Sequence, residues 1–407
     1  MDFREVSSLS HRRIALFVDI FPPSMGGGAT RASCIVQSLL ALGCHVTVVT
    51  TSCIYPVGNS IISLKFIEEK QENLTIIRVP SLNLPFKGLL NRMLNYSASS
   101  LSMLLIAPKL KNFDLIFSIG MHPFTDLAAY FIKRIYKSRF IVDISDLFPE
   151  NSLFTLLNHA LNRLLLRLSD SISLHNERLC QIFRSRYNCH KQILILHNSV
   201  DTTIFKPNLI TRKNKTVLSA LCGKALSSTI VICYFGVFGP LQGLQNILNA
   251  CSLINNEKNN LTFIFIGDGE EKSKLYESSK NLNNVIFLPK MNRETIVQVA
   301  AEVDVGLVPL VSTDPLVVYI NLPSKAAEFL SSGVPILAAK GTFIGYLTTK
   351  WAAGFEVNFS EIDELCKILR LINSDYAELV KSSENARLLA LNVFSLEVMQ
   401  RSLMRLF

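Results

Sequence analysis

Several features of exported, membrane-spanning and nucleic-acid-binding proteins are absent from this sequence of 407 residues. Residues 1–13 are polar and mixed in charge and lack the apolar segment of a signal peptide, so export by that route is not expected. No apolar run reaches the roughly 18 residues that a membrane-spanning helix needs. Charged residues make up only 18% of the sequence and hydrophobic residues 49%, which indicates a folded chain with little disorder.

The cysteines form no Cys-x-x-Cys pair. Nine of them are scattered singly along the chain, and this odd, dispersed set predicts reduced thiols in the cytoplasm rather than disulfides or a structural zinc site. There is also no Asp-x-Asp pair to hold a divalent ion beside a diphosphate. The sequence therefore predicts a cytoplasmic protein without a metal or other cofactor.

The net charge of +9 favours an anionic partner. Because the basic residues are spread out and form no tract interleaved with aromatic residues, nucleic acid is the least expected of these partners. Residues 84–113 combine apolar residues at helical spacing with flanking Lys and Arg residues, a pattern typical of a helix that lies on an anionic bilayer. The same stripe is more often part of a protein core, so both interpretations stay open.

Short apolar runs alternate with helical patterns in both halves of the chain. Continuous apolar strands separated by helices indicate an α/β fold with parallel sheets covered on both faces. The predicted strands are 14–18, 46–50, 75–79, 115–118, 140–143, 171–174 and 193–197 in the first half, and 230–235, 262–266, 285–288, 305–308 and 336–339 in the second. A polar stretch at 201–215 looks like a linker.

Two doubly wound, Rossmann-like domains account for this order. We place the first domain at residues 1–205, the second at 206–390, and at 391–407 a C-terminal helix that crosses back to the first domain. Ligands bind at the carboxyl ends of strands in such sheets, so the two domains are expected to face each other across an interdomain cleft.

The most informative segment is 322–336, which predicts a helix that begins with Lys325 and Glu328 near its start. The first N–H groups of a helix have no internal partner and attract anions, and Lys325 adds a full positive charge. Glu328 lies one turn further on and suits the hydroxyl groups of a ribose. Together the pair predicts a nucleotide diphosphate site, although a serine-capped helix with an ordinary Lys–Glu pair has the same pattern.

A glycine loop follows the first predicted strand and contains Gly26, Gly27, Gly28 and Arg31. It lacks the third glycine and the later acidic residue of a dinucleotide-binding fingerprint. The loop can still let backbone groups approach a phosphate or a sugar, with Arg31 adding charge. A tight turn that packs the helix on the strand is the alternative.

Three further side chains follow strands of the first half. His122 is placed to donate to a sugar hydroxyl or a developing oxyanion, or else to cap or pack a helix. Asp146 and Glu150 follow the next strand and can accept from the hydroxyl groups of a carbohydrate, or can cap the helix that follows.

In the second half, Gly236 and Gly239 follow the first strand, and Gly267 and Gly269 follow the next one. Each pair offers a glycine-lined helix start for a diphosphate or a base.

Taken in order, these segments resemble the retaining GT-B glycosyltransferases of family four. The sequence is most similar to the bacterial branch that builds O-antigen, capsule and exopolysaccharide, including the N-acetylfucosaminyltransferase-like members. The resemblance runs over nearly the whole chain. The matching segments are 21–28, 143–150, 197–201 with Phe205, 236–244, 267–275, 284–288, 304–309 and 323–335.

The resemblance implies a metal-independent enzyme that transfers a sugar, with retention of anomeric configuration, from a nucleotide diphosphate sugar. A UDP-linked donor is expected, for example an N-acetylated deoxyhexosamine, and a polyprenyl diphosphate-linked glycan as acceptor at the inner face of the plasma membrane. By this resemblance residues 1–205 bind the acceptor and residues 206–390 bind the nucleotide sugar. Lys325 faces the diphosphate, Glu328 binds the ribose, His122 approaches the reacting sugar, and the loop Gly26–Gly28 flanks the acceptor or a phosphate. The remaining donor contacts are expected from Asn321, Leu322, Pro323 and Ser324.

The chain departs from the family pattern at two places. The first glutamate of the E-x7-E motif falls at Ile320, so its contact to the donor sugar is missing, and the usual basic pair after the first strand of the second domain is replaced by 238–241. A non-catalytic GT-B protein that binds glycan or another transferase therefore stays open as the alternative.

Overall fold

The computed structural model describes residues 11–24, 26–52, 62–63, 66–82, 84, 89–110, 112–120, 123–144, 153–255, 257 and 259–407. The chain divides into two compact units. The first extends to His197 and also includes Leu396–Phe407, and the second comprises Asn198–Ser395.

The first unit is a layered α/β structure. Its strands are β1 (Arg13–Val18), β2 (His45–Thr51), β3 (Ile62–Ser63), β4 (Ile67–Lys70), β5 (Leu74–Val79), β6 (Ser81–Leu82), β7 (Leu115–Ile119), β8 (Arg139–Ile144), β9 (Ser171–Leu174) and β10 (Ile193–Ile195). Its helices are α1 (Gly27–Ala41), α2 (Leu89–Leu105), α3 (Pro123–Tyr136), α4 (Leu153–Leu168) and α5 (Glu177–Tyr187), with a 3-10 turn at Ala107–Lys109.

The main sheet of the first unit has the order β10-β9-β8-β7-β1-β2-β5-β4. Its strands are parallel except β4, which runs antiparallel to β5 at the edge. β7 and β9 are buried along their whole length, as expected for strands covered on both faces. The strand order changes direction between β1 and β7, the position at which open α/β sheets bind ligands.

The second unit has the same architecture. Its strands are β11 (Ile230–Val237), β12 (Leu261–Asp268), β13 (Val285–Leu288), β14 (Val305–Val308), β15 (Ile336–Ala339) and β16 (Gly354–Val357). Its helices are α6 (Leu209–Asn214), α7 (Thr216–Cys222), α8 (Leu244–Asn255), α9 (Lys272–Ser279), α10 (Arg293–Glu302), α11 (Pro315–Ile320), α12 (Ser324–Ser331), α13 (Phe343–Lys350), α14 (Ile362–Ser374) and α15 (Tyr376–Leu389), with a 3-10 turn at Pro240–Gln242 and a π-helical turn at Ala390–Phe394.

The sheet of the second unit is wholly parallel, in the order β13-β12-β11-β14-β15-β16. This is the doubly wound order, with the switch between β11 and β14. A last helix, α16 (Leu396–Met404), packs on α1 in the first unit.

The predicted α/β class with two parallel sheets is confirmed. Four strands were not predicted: the two-residue strands β3 and β6, and the longer strands β4 and β16. β4 is a fully exposed edge strand with two glutamates, and β16 is a short, half-buried strand that begins with Gly354. Neither carries the continuous apolar run by which the central strands were found.

The composition of the polar stretch at 201–215 suggested a linker, but in the structure this stretch packs within the second unit. Phe205 lies in the hydrophobic core of the second unit, 1% exposed. Lys215 is buried and its Nζ lies 3.1 Å from Oδ2 of Asp304. Asp201 accepts hydrogen bonds from the N–H groups of Thr203 and Ile204, which forms a local turn. The polar residues therefore make specific internal contacts.

Among the described residues, none of the helices is long and apolar enough to span a bilayer.

Candidate functional site

The start of α12 meets the carboxyl end of β11 in the second unit. Lys325, on the first turn of α12, is half-buried, and its Nζ lies over the ring of Tyr234 at 3.9 Å from the centroid. A Cβ added at Gly236 would lie 2.8 Å from this Nζ. The Tyr234 hydroxyl donates to the carbonyl of Val237 at 2.6 Å, which fixes the ring beneath the ammonium. The cation–π contact holds the ammonium at the switch point of the sheet, and the absence of a Cβ at Gly236 leaves room for it there.

Burial lowers the pKa of Lys325 to about 7, while Glu328 and the Cys233 thiol act in the opposite direction. The described acids around this ammonium therefore do not fully compensate its charge. An anion bound beside the ammonium would do so.

Glu328 is buried on the same helix, 7% exposed, and its Oε1 lies 2.9 Å from Nη1 of Arg293 at the start of α10. Burial raises the pKa of the Glu328 carboxyl, whereas Arg293 and Lys325 lower it. The Arg293 guanidinium is half-exposed and also lies over the ring of Phe205, 5.1 Å from its centroid. The carboxylate is thus held in place by a guanidinium that reaches solvent.

The glycines that follow β11 and β12 allow the two strands to approach closely. A Cβ at Gly267 would overlap the carbonyl oxygen of Gly236, and a Cβ at Gly269 would overlap the carbonyl oxygen of Phe238. Gly267 and Gly269 have φ angles of 154° and 159°. The backbone is therefore free of side chains at the edge of the sheet to which Lys325 points. Gly239 begins the 3-10 turn before α8.

The predicted donor-binding segment 321–324 forms the entry to α12. Pro323 is the N-cap and provides no side-chain acceptor for the first N–H groups of the helix. The carbonyl of Leu322 accepts from the Asn198 amide at 2.6 Å, and the carbonyl of Asn321 accepts from the N–H of Ile344 at 3.2 Å. The carbonyl groups of Asn321 and Leu322 are thus used internally, and the first N–H groups of α12 lie at the positive end of the helix dipole.

In the first unit, Gly26 is the N-cap of α1, and Gly27 and Gly28 are its first residues. Arg31 was predicted to add charge to this loop. Its side chain is instead 3% exposed, and Nε and Nη2 each donate to the Asp143 carboxylate at 2.7 Å. Nη1 donates to the carbonyl of Leu196. The guanidinium is therefore neutralised within the unit and ties α1 to β8.

The structure also places two buried carboxylates at the strand ends of the first unit. Asp19 follows β1 and accepts from the hydroxyl of Thr125 at 2.5 Å. Asp126 accepts from the hydroxyl of Ser118 at 2.6 Å. His122, Asp146 and Glu150, which the sequence analysis singled out, lie outside the described residues.

The sequence pattern did not reveal four of the side chains described above, namely Tyr234, Arg293, Asp19 and Asp126. Tyr234 lies in an apolar strand and reads as a core residue. Arg293 is far along the chain from Glu328. The Asp126 signal was available, since it is an acidic residue in the first turn of a helix that follows a strand.

Comparison with solved structures defines the class of fold. Sucrose-phosphate synthase from Thermosynechococcus elongatus is similar over 97% of this chain and 98% of its own, with a TM-score of 0.76 and 13% identity. HepE of Anabaena, solved in complex with UDP-glucose, gives a TM-score of 0.67 with 16% identity over 97% of this chain and 99% of its own. The described units, each with a doubly wound parallel sheet, have the fold of these GT-B glycosyltransferases.

Sequence comparison points to a family within this class. Residues 224–389 match the model of the family described as "Glycosyl transferases group 1". The "Probable glycosyltransferase WbjE" of Pseudomonas aeruginosa is 31% identical over 153 residues, which span 33% of this chain and 35% of that relative. The matched family segment contains the switch point at β11, α12 and both Lys325 and Glu328.

Proposed function

We propose that this protein is a retaining, metal-independent glycosyltransferase that transfers a sugar from a UDP-linked donor to a lipid-linked glycan in the synthesis of O-antigen or another surface polysaccharide. The group 1 family match supports glycosyl transfer, the UDP-glucose complex of HepE supports a UDP-linked donor, and the similarity to WbjE supports the bacterial polysaccharide branch. A lipid-linked acceptor would place the protein at the cytoplasmic face of the membrane, in peripheral contact with anionic lipid.

The observation that carries this proposal is the arrangement of Lys325 and Glu328 on α12. Lys325 presents an incompletely compensated ammonium beside a glycine-lined strand end, and the first N–H groups of α12 add partial positive charge. We assign the pyrophosphate to this position. Glu328, one turn further along and ordered by Arg293, accepts from the ribose hydroxyl groups.

The chemistry asks for orientation and charge stabilisation. Lys325 and the backbone N–H groups of α12 stabilise the charge that develops on the leaving diphosphate. Gly236, Gly239, Gly267 and Gly269 let the backbone approach the donor, with 321–324 beside it. In the first unit we assign the acceptor or its phosphate to Gly26–Gly28, with Asp146 and Glu150, and the reacting sugar to His122. Arg31 supports that loop from within, through Asp143.

A donor panel tests the proposal. The purified protein is incubated with UDP and GDP sugars and a polyprenyl diphosphate-linked sugar, and product is followed with and without EDTA. We expect transfer from a UDP sugar that EDTA does not reduce, and a product whose anomeric configuration, read by NMR, matches that of the donor. Glu328→Ala should raise the donor KM on the order of tenfold or more, because charge-assisted hydrogen bonds to the ribose are lost.

Glu294→Ala is the matched control, since Glu294 is an exposed glutamate on α10 beside Arg293. It should leave the donor KM unchanged. The proposal would be contradicted if the protein showed no turnover of any nucleotide sugar and no binding of one by calorimetry.

A non-catalytic GT-B protein that binds glycan or another transferase is the second candidate. The position of the first glutamate of E-x7-E is taken by Ile320, which is 6% exposed and forms part of the apolar interior. Binding of a glycan without any turnover of nucleotide sugars would favour this candidate.

Donor binding should depend on pH through Lys325. In the free protein the pKa of Lys325 is about 7, and a bound diphosphate favours the ammonium and raises it. Affinity for UDP-glucose should therefore be full below about pH 7 and fall by up to about tenfold per pH unit above it, as the proton must be taken up on binding.

Calorimetry in buffers of different ionisation enthalpy measures both this affinity and the proton uptake. Burial is the largest influence on the starting pKa of Lys325, whereas Glu328 and Cys233 act against it, and the Tyr234 ring also faces the ammonium. Lys325→Arg keeps its charge throughout this range and should bind with little pH dependence. An equally flat profile for the unaltered protein would refute the assignment.

A further inference from the structure

We infer that the C-terminal ends of α2, α3 and α4 form a surface that docks on a lipid bilayer with anionic headgroups. This surface lies where the strands begin, at the opposite edge of the sheet from the proposed acceptor loop Gly26–Gly28, so it goes beyond the site of the proposed function. Its binding is measurable without donor or acceptor, so it stands or falls separately.

Topology brings these three helix ends to one edge of the first unit. α3 connects β7 to its parallel neighbour β8, and α4 connects β8 to β9. α2 precedes β7 and follows β5, which also runs in the parallel direction. Helices that connect parallel strands run antiparallel to them, so all three end where the strands begin. α2 packs on α3 and α3 packs on α4, with the rings of Tyr96 and Phe124 6.5 Å apart.

Large apolar side chains are exposed in the last turns of each of these helices. They are Leu101 and Leu105 on α2, Phe131 and Ile135 on α3, and Leu164 on α4, with exposed fractions of 63%, 75%, 53%, 59% and 43%. Met103 of α2 points the other way and is fully buried. The stripe within residues 84–113 thus has one face in the core and another in solvent, which reconciles the two interpretations of its sequence.

Basic residues outnumber acidic ones around these side chains, although Asp170 pairs with Lys133 at 3.2 Å and Glu68 pairs with Lys109 at 3.0 Å. Arg134 is exposed on the same side of α3 as Phe131 and Ile135, and Lys137, Arg139, Arg163 and Arg167 are exposed at or near the ends of α3 and α4. The three helices contain a single carboxylate, Asp126, which is buried in the first turn of α3. A groove of about 430 Å³ is lined by Lys133, Arg134, Lys137, Ser138, Arg139 and Asp170. Asp170 pairs with Lys133, so the three remaining basic side chains give the groove a net positive charge that suits a phosphate headgroup.

Basic residues at helix C-termini also stabilise the helix dipole, which accounts for Arg134 and Arg167. The dipole does not account for five large apolar side chains exposed to solvent near the C-terminal ends of three neighbouring helices. Exposed apolar side chains surrounded by Lys and Arg match the interface of an anionic bilayer, in which the apolar groups enter the acyl boundary and the cations contact headgroups.

Co-sedimentation of the full chain with vesicles tests the surface. We expect binding to vesicles of phosphatidylcholine mixed with phosphatidylglycerol, weaker binding at high salt, and little binding to phosphatidylcholine alone. Phe131→Ser with Ile135→Ser, and separately Arg134→Glu with Lys137→Glu, should each reduce the partition coefficient about tenfold or more. Leu253→Ser and Lys224→Glu are matched controls, because both side chains are exposed but lie in the second unit, and they should bind as the unaltered protein does.

Far-UV circular dichroism, the thermal unfolding midpoint and UDP-glucose binding should be unchanged in both double variants, which separates loss of docking from loss of fold. Equal binding to both vesicle types, or full binding by either double variant, overturns the inference. The inference is also overturned if the unaltered protein is a dimer and the double variant Phe131→Ser with Ile135→Ser is a monomer. A second copy of the chain, and not a bilayer, would then cover the apolar side chains. Vesicle binding without sugar transfer would refute the proposed function and leave this surface standing.

Discussion

Lys325→Met is expected to reduce kcat/KM for sugar transfer about a thousandfold while it raises the thermal stability of the second unit at pH 7. The first effect follows from the loss of the one described ammonium at the end of β11, which leaves the charge on the departing diphosphate poorly stabilised. Removal of one charge-stabilising group from a preorganised site typically costs a factor of 10² to 10³.

The second effect comes from the cost of holding this ammonium in the folded protein. Burial is the largest influence on its pKa, which falls from 10.5 to about 7 on folding. Because the unfolded chain binds more protons between these two values, stability rises with pH in this window and is lowest below about pH 7. Methionine has a similar length and no charge, so Lys325→Met removes the free-energy cost of burying the ammonium. An ammonium whose burial destabilises the fold in spite of its contact with the Tyr234 ring is best explained by a ligand.

The two readouts are a transfer assay with the UDP sugar selected in the donor panel and unfolding followed by fluorescence. The protein has one tryptophan, Trp351, which packs against the core of the second unit and therefore reports on that unit alone. Lys350→Met is the matched control: Lys350 also lies over a tyrosine ring, 5.7 Å from the centroid of Tyr346, but both are exposed. It should change neither readout. Transfer at the unaltered rate in Lys325→Met would refute the assignment of the diphosphate.

Much of the fold could be predicted from the sequence because the central strands are buried on both faces. The runs at Val305–Val308 and Ile336–Ala339 are continuous apolar segments between helical patterns, and the structure has strands with those bounds. β4 could not be found in this way, since an edge strand with exposed glutamates lacks that pattern.

The site was only partly predictable, because a sequence pattern reveals neighbours on one element but not partners from distant segments. Lys325 and Glu328 are neighbours on one helix, so their spacing alone puts them on one side. Their partners come from distant parts of the chain. Tyr234 lies beneath Lys325, and Arg293 pairs with Glu328 across 35 residues of sequence. Arg31 misled the sequence analysis because a basic residue beside a glycine loop has the same pattern whether it faces a ligand or, as here, an internal carboxylate such as Asp143.

Gly267→Ala is expected to destabilise the second unit by about 4 kcal/mol. The new Cβ would overlap the carbonyl oxygen of Gly236 on the paired strand β11 and come within 3.0 Å of the Phe238 ring. Backbone and a buried aromatic ring cannot give way as a flexible side chain can. The φ of 154° adds conformational strain for any residue with a Cβ. Urea unfolding followed by Trp351 fluorescence measures the loss, and donor binding should fall with it because β11 carries Tyr234 and Gly236 to the site.

Gly223→Ala separates the steric part of this effect from the conformational part. Gly223 also has a positive φ, 65°, but a Cβ there would meet nothing within 4 Å. Its substitution should cost only the left-handed penalty of about 1 kcal/mol and leave donor binding intact. If the two substitutions cost the same, the close approach of β11 and β12 would not be what requires glycine at position 267. The glycine-lined strand end would then lose its structural explanation as well as its place in the donor site.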